Sequence, residues 1–319
     1  MDISKHDYLE KVLESHKMKH VSDFVSKHTT KRDEIKSELQ SNYTGKIYIP
    51  INSGSYAKHT AINIKFDLDI IVPFKRDAFE TLEEMFDSVY DFLYEKYKDK
   101  ATVRKQKVSI GLEFYPDEDG EVINLDIVPG RELNQDQYLE DKKLNLYVNA
   151  LYGVLKEKTY IQTNIQAQID HITAKQNERK KIRLLKAWKH HNRETYKSFL
   201  LELLVIKAFD QANIDGDLWE KLKKTMEYIQ NNVNQEGFTL KDPGNSGNNV
   251  IDTLNTNERQ KLSDTMKRII ENIEANDDNI KIYFPINEKF EETDAQRGYG
   301  IKTASASVSI PPNNTRFGL

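Results

Sequence analysis

The chain contains no cysteine. Disulfides, thiolate nucleophiles and every zinc site that needs sulfur are thereby excluded, and a reducing, cytoplasmic setting is the expectation. A long apolar run is also lacking. The most hydrophobic stretch, Phe199 to Phe209, is interrupted by Glu202 and Lys207 and falls short of the roughly 20 apolar residues that a bilayer-spanning helix needs. The opening segment MDISKHDYLEKVLESHKMKH is of mixed charge from its second residue and has no apolar centre of the kind a secretory signal needs, so neither export nor membrane attachment is expected. Excess positive charge is missing too. With 47 Lys plus Arg against 51 Asp plus Glu, the formal net charge is -4, and nothing draws the chain as a whole to duplex DNA. There is no internal repeat, no long low-complexity linker and no Walker-type glycine loop.

What is present can build a sizeable core: 319 residues, 38% of them hydrophobic and 31% charged, suit one large domain or two lobes around a cleft. Residues 6 to 40 carry Tyr8, Val12, Val21, Phe24, Val25, Ile35 and Leu39 at helical spacing and predict one or two opening helices. Lys46-Ile-Tyr-Ile-Pro-Ile alternates as a strand does, SGSYAKHT follows as a strand-to-helix turn at Gly54, and Asp67-Leu-Asp-Ile-Ile-Val-Pro-Phe reads as a second strand. Asp77 to Tyr97 has a helical period. Val108 to Tyr115 and Val122 to Val128 are extended segments joined by a hairpin turn at Pro116-Asp-Glu-Asp-Gly120. Beyond Pro129-Gly130, helices are expected over Gln162 to Asn192, Lys197 to Ala212, Asp217 to Asn232 and Asn255 to Ala275, with Asp242 to Asn249 as a surface loop and the tail from Thr303 as coil or loose strand.

The expected fold is α/β in the α+β sense, a mixed β-sheet core joined to an α-helical lobe with the active site in the cleft between them. Residues 1–40 are read as helices bridging the lobes, 41–135 as the core, and 136–319 as the helical lobe with its tail.

Asp67 and Asp69 stand two apart in an extended segment, so both carboxylates leave one face. Like charges this close repel unless a cation lies between them, and hard oxygen ligands suit Mg²⁺ or Mn²⁺. Asp126, in Asn-Leu-Asp-Ile-Val on another strand, joins them if the two strands are neighbours. Three such acids suit two ions about 3.5–4 Å apart, the arrangement used in phosphoryl transfer. About a dozen residues upstream, Gly54 and Ser55 open a helix after a strand, where a glycine lets the backbone approach a polyphosphate and a serine donates its hydroxyl. His190 and His191 are adjacent on a helix and diverge, so a shared metal is not expected of them. The run Arg179-Lys-Lys-Ile-Arg183 reads as the solvated face of a long helix.

In this order and on these elements, GSYAKHTAINIKFDLDIIVPF followed by NLDIVPG resembles the G-S, D-x-D and distal Asp signature of the polymerase-beta-like nucleotidyltransferases. Within that superfamily the chain is similar to the bacterial cGAS/DncV-like nucleotidyltransferases (CD-NTases), nearest their CdnE-like clade. IRLLKAWKHHN with KSFLLELLVIKAF and DPGNSGNNV resemble that family's helical motifs and late loop, so the likeness spans roughly residues 40 to 290. The resemblance implies that Asp67, Asp69 and Asp126 hold two Mg²⁺ (or Mn²⁺) ions and perform the catalysis, and that Gly54 and Ser55 hold the donor triphosphate. Lys186 and Ser198 are implied to touch phosphates. Tyr196 is a candidate for stacking on a base, or else ordinary packing, and Asn164 and Gln168 are candidates for reading the base.

The implied activity is a cyclic dinucleotide synthase that condenses two NTPs (GTP, ATP, with UTP also considered) and releases pyrophosphate, acting as a monomer in antiphage CBASS signalling. Cyclic di-GMP is the first expectation for the product, with cyclic UMP-AMP and cyclic di-AMP also open, and the responding effector is expected to be a STING-like receptor. No duplex DNA requirement is expected, because the zinc-bearing insertion and basic surface of DNA-sensing relatives are lacking; activity is constitutive or controlled by a protein or a cellular ligand. Two other readings stand beside it: a template-independent RNA 3′-end nucleotidyltransferase, and a catalytically silent nucleotide-binding module.

Overall fold

In the computed structural model, residues 3–149 and 160–290 are described. The tail from Thr303 lies outside them. The chain opens with helices α1 (Lys5–Ser15) and α2 (Ser22–Asn42), then strand β1 (Ile51–Ser53), the single turn α3 (Gly54–Ala57), β2 (Leu68–Phe74), α4 (Leu82–Tyr97), β3 (Ala101–Lys105), β4 (Ile110–Phe114) and β5 (Asn124–Glu132). After these come α5 (Tyr138–Asp141), β6 (Leu144–Tyr147), β7 (Tyr160–Thr163), α6 (Ile165–Thr173), α7 (Gln176–His191), α8 (Ser198–Gln211) and α9 (Leu218–Asn232). The short pair β8 (Lys241–Asp242) and β9 (Asn245–Asn249), then α10 (Thr256–Ala275) and α11 (Ile280–Tyr283), complete the order. Among the described residues no helix is long and apolar enough to cross a membrane.

The sheet is mixed. Its order is β1-β2-β5-β4-β3, with β6 on β5 and β7 on β6. β2 and β5 run parallel at its centre, while β4 and β6 share the other edge of β5, the first along residues 124–127 and the second along 130–132. All seven residues of β2 are buried, because the strand is covered on both faces. Phe24, Ile35 and Leu39 of α2 and Met85, Phe86, Val89 and Leu93 of α4 pack on one face; Val108, Tyr138, Leu144, Leu146 and Ile165 pack on the other. A Thr81–Glu84 capping box fixes the start of α4 and places its apolar stripe on the sheet.

The second core belongs to α7, α8, α9 and α10, built around Trp188, Leu200, Leu204, Met226 and Ile269. α1 lies in this core through Tyr8, Leu9, Val12 and Leu13, although α2 lies in the other.

Several elements differ from the sequence reading. Pro50 has no N–H to give, so the strand expected from Lys46 is broken: Ile47 bridges Phe74, and regular pairing resumes only at Ile51. The helix expected from Asp77 begins at Leu82, where its cap stands. The run expected as helix from Gln162 ends a strand at Thr163, and it divides into α6 and α7 at Ala174–Lys175. Asn164 caps α6 by accepting the N–H of Ala167 at 2.9 Å. The loop expected at Asp242–Asn249 is a β8–β9 hairpin. Strands β3, β6 and β7 went unread, and the last two carry the sheet past residue 135 to Thr163.

His28 clips α2 to the sheet close to Asp126. Its Nδ1 donates to the Phe24 carbonyl at 3.0 Å, which leaves Nε2 to accept the Asn124 N–H at 3.3 Å, and the ring packs on Phe24 and Phe66. Both nitrogens are committed in the neutral tautomer. Burial, the largest cause, pushes the imidazole from 6.5 to about 4. A histidine held below its unfolded value stabilises the fold above about pH 6.5, and that contribution is lost as pH falls toward 4. We expect His28→Ala to cost roughly 2–3 kcal/mol near pH 7.5. In denaturant melts at stepped pH, the gap to wild type should narrow between pH 6.5 and 4; a constant gap would contradict this role.

Candidate active site

Asp69 and Asp126 are direct register partners on the parallel strands β2 and β5, so their side chains stand abreast on one face of the sheet. Asp67 precedes β2 by one residue and completes the set. All three line a cavity of about 600 Å³ between the sheet and helices α7 and α8. Asp69 is 8% exposed. Burial first, then the charges of Asp67 and Asp126, raise its carboxyl well above the usual range, against the pull of Lys58 and Lys186. Asp126 is pushed up to about 7 by burial and by Asp67, against a hydrogen bond from Gln106 Nε2 to its Oδ1 at 2.9 Å. Carboxyls held this way are short of positive charge.

Hard oxygen donors on neighbouring strands fit Mg²⁺ or Mn²⁺, whose charge relieves that repulsion. The three do not crowd onto a single point. Among the described residues, the acidic trio whose oxygens all lie within 4.8 Å of one another is Asp117, Asp119 and Glu121 on the β4–β5 turn. That trio is already paired with Lys27, at 2.7 Å to each.

Gly54 joins the turn to the acids. Its φ of +70° disfavours any residue with a Cβ, and a Cβ built there lies 1.5 Å from Asp69 Oδ2. Ser55 follows in the first turn of α3 and lines the cavity with Ser53. Gly54, Ser55, Asp67, Asp69 and Asp126, the residues singled out in the sequence, all line this one cavity.

The facing wall carries the cations Lys186, Lys189, Arg193 and Lys197, with His190 beside them, its ring pushed down to about 4 by burial and so neutral. Lys186 is buried and donates to the Thr60 carbonyl at 2.9 Å, and burial pushes its ammonium down to about 8. Ser198 is the first residue of α8 and accepts from Lys189 Nζ at 3.4 Å. Tyr196 borders the cavity but is only 4% exposed, stacked on Trp188 with centroids 6.3 Å apart, which is packing geometry. Of the two base-reading candidates, Asn164 is occupied as a helix cap. Gln168 reaches the cavity with its amide nitrogen on Asp242 Oδ1 at 2.9 Å. His190 faces the cavity while its neighbour His191 is exposed.

Among the residues that escaped the sequence reading are Lys58, Lys189, Arg193, Lys197, Glu202 and Gln106. For Glu202 a signal existed. A lone acid inside Phe-Leu-Leu-Glu-Leu-Leu is buried only if a cation meets it, and Lys58 does so at 2.9 Å. Lys58 lies four residues past Gly54, on the far end of the same turn.

No family model matches the chain. A curated relative, the CBASS oligonucleotide cyclase CdnC of Escherichia coli, is 23% identical over 239 residues, covering 66% of this chain and 72% of the relative. The solved structure of E. coli MS115-1 CdnC with ATP matches 93% of this chain and 98% of its own, with a TM-score of 0.65 and 20% identity; that protein is also known in a CdnC:HORMA complex. The Bradyrhizobium diazoefficiens CD-NTase CdnG in complex with GTP matches 86% and 94%, with a TM-score of 0.68 and 15% identity. The fold is that of these CdnC and CdnG structures, a mixed sheet joined to a helical lobe. In sequence and in fold the chain is similar to these CD-NTases.

Gly54→Ala forces a methyl group into the Asp69 carboxylate on a backbone that resists it. We expect it to lower stability by about 1–3 kcal/mol and to weaken Mn²⁺ binding about tenfold or more, because Asp69 must swing away. Thermal melts and Mn²⁺ titration followed by electron paramagnetic resonance check both, and unchanged Mn²⁺ binding would refute the coupling of turn and acid.

Proposed function

We propose that the chain is a divalent-cation-dependent synthase of cyclic oligonucleotides, joining NTPs with release of pyrophosphate in CBASS-type antiphage signalling. The observation that carries this reading is the in-register placement of Asp69 beside Asp126, closed over by Gly54 and facing a wall of lysines. Such a cavity holds acids for cations at one side and cations for phosphates at the other. The oligonucleotide cyclase CdnC among its relatives, and the CdnC and CdnG structures with ATP and GTP, support the substrate class.

Asp67, Asp69 and Asp126 are the residues that hold Mg²⁺ or Mn²⁺, two ions in this reading. When bound, the ions supply Lewis-acid charge at the α-phosphate and the pyrophosphate leaving group. Gly54 and Ser55 cradle the donor triphosphate and fix its direction. Lys186, Lys189 and Ser198 balance its charge from the helical side, with Lys186 exchanging the Thr60 carbonyl for a phosphate oxygen. A ribose hydroxyl oxygen then forms the new bond to the α-phosphorus, the bond to pyrophosphate breaks, and the hydroxyl proton is lost. Repetition between the ends of the linear product closes the ring. In this account residues 1–40 bridge the lobes, 41–135 carry the catalytic work and 136–319 supply the phosphate and base contacts.

A two-nucleotide ring, cyclic di-GMP first among the candidates, is the specific product proposed, made by a monomer and read by a STING-like effector. Control by a protein partner fits the existence of a CdnC:HORMA complex for one relative.

Mass spectrometry of the products formed from the four NTPs with Mg²⁺ or Mn²⁺ tests the proposal. A phosphatase-resistant cyclic product is expected, and its ring size and bases are read in the same spectrum. Asp126→Asn should lower the yield by about 100-fold or more while the protein stays folded. Extension of an added RNA 3′ end in place of a small ring would overturn the cyclase reading, and turnover that survives Asp126→Asn would overturn the site.

A further inference from the structure

Lys58 and Glu202 form an ion pair across the cleft, Nζ to Oε1 2.9 Å, with side chains only 7% and 5% exposed. Burying two charges is costly, and two apolar residues of similar size join lobes at least as well. Adhesion alone therefore does not account for the pair. Lys58 caps the Gly54 turn, its N–H donating to the Gly54 carbonyl at 3.3 Å, and its ammonium lies 4.5 Å from the centre of the Phe199 ring on α8. Lys58, Glu202 and Asp69 line the same cavity, and the turn that Lys58 closes packs against Asp69 at Gly54.

Among the carboxylates that line the cavity around this buried ammonium, two bear on the argument. One is Glu202. The other is Asp69, a cation ligand in the nucleotidyl-transfer reading, on which this inference rests. An ammonium paired with Asp69 occupies the acceptor that a divalent cation needs. We propose that Glu202, reaching over from the helical lobe, is a positioning residue that holds the Lys58 ammonium off Asp69 and so keeps that carboxylate open to the divalent cation. Glu202 acts through Lys58 and touches no reacting atom. The helical lobe thereby sets the cation affinity of a site built in the sheet.

Mn²⁺ binding to the full chain, followed by the free-ion signal in electron paramagnetic resonance, tests this without relying on turnover. Glu202→Gln should weaken Mn²⁺ binding about tenfold, because the released ammonium turns to Asp69. The double variant Lys58→Met with Glu202→Met removes both pair members, and should bind Mn²⁺ within about twofold of wild type. Lys58→Met alone should bind no more weakly than wild type. Binding by Glu202→Gln equal to wild type overturns the proposal, as does a double variant as weak as the single, which is what a merely structural pair gives. If Glu202→Gln fails to fold, the other two decide, and weaker binding by Lys58→Met overturns it. A wild-type protein that binds no Mn²⁺ and forms no nucleotide product removes the nucleotidyl-transfer reading itself, whereas product formation with Mn²⁺ binding indifferent to Glu202 removes only this inference.

Discussion

Two carboxylates standing abreast in a buried corner are the constraint from which the rest of this structure follows. Asp69 and Asp126 repel each other, and burial makes the repulsion stronger than it is in water. They stay together because β2 and β5 are parallel, in register, and locked by the cores on both faces of the sheet. Compensation then has to come from outside the strands. It comes from Lys58 and Lys186, which act on Asp69, and from Gln106, Arg104 and Lys65, which act on Asp126.

The charge of the whole chain hides this local arrangement. A net charge of -4 offers nothing to a long polyanion. The cavity, however, gathers Lys58, Lys65, Lys186, Lys189, Arg193 and Lys197 against its acids. Low-dielectric walls concentrate such a field within the cleft and leave the outer surface unremarked by it, an economy suited to a small anion that enters and leaves.

Much of this was legible because the informative residues are local in sequence. The D-x-D spacing fixes a common face for two acids whatever the rest of the fold does, and the Gly-Ser pair marks a strand-to-helix turn. That Asp126 stands beside Asp69 was not local: it depends on the parallel pairing of strands more than fifty residues apart, and it was reached only through resemblance to a family. The pairing of Lys58 with Glu202 lay further off still, since 144 positions separate them and each alone looks like a solvated charge. Strand β3 escaped because Thr102 to Lys105 are all at least partly exposed, Arg104 and Lys105 are charged, and a clean alternation is lacking. Pro50 shifted one strand, and Asn164 turned an expected helical run into strand, cap and helix.

The two lobes are joined in a way that bears on how the site is kept. α1 buries Tyr8, Leu9, Val12 and Leu13 in the helical core, and α2 buries Phe24, Ile35 and Leu39 in the sheet core, so the same opening segment is built into both. Across the cleft each lobe then sends one lysine into the other: Lys58 to Glu202 on α8, and Lys186 on α7 to the Thr60 carbonyl. Both ties end within the stretch Lys58–Thr60, immediately after the Gly54 turn. A Cβ at Gly54 would have no room beside Asp69, so the stretch begins in close contact with the acid. The turn that would hold a triphosphate and the acid that would hold a cation are therefore not independent parts; they share one short segment, and the helical lobe grips that segment from the other side.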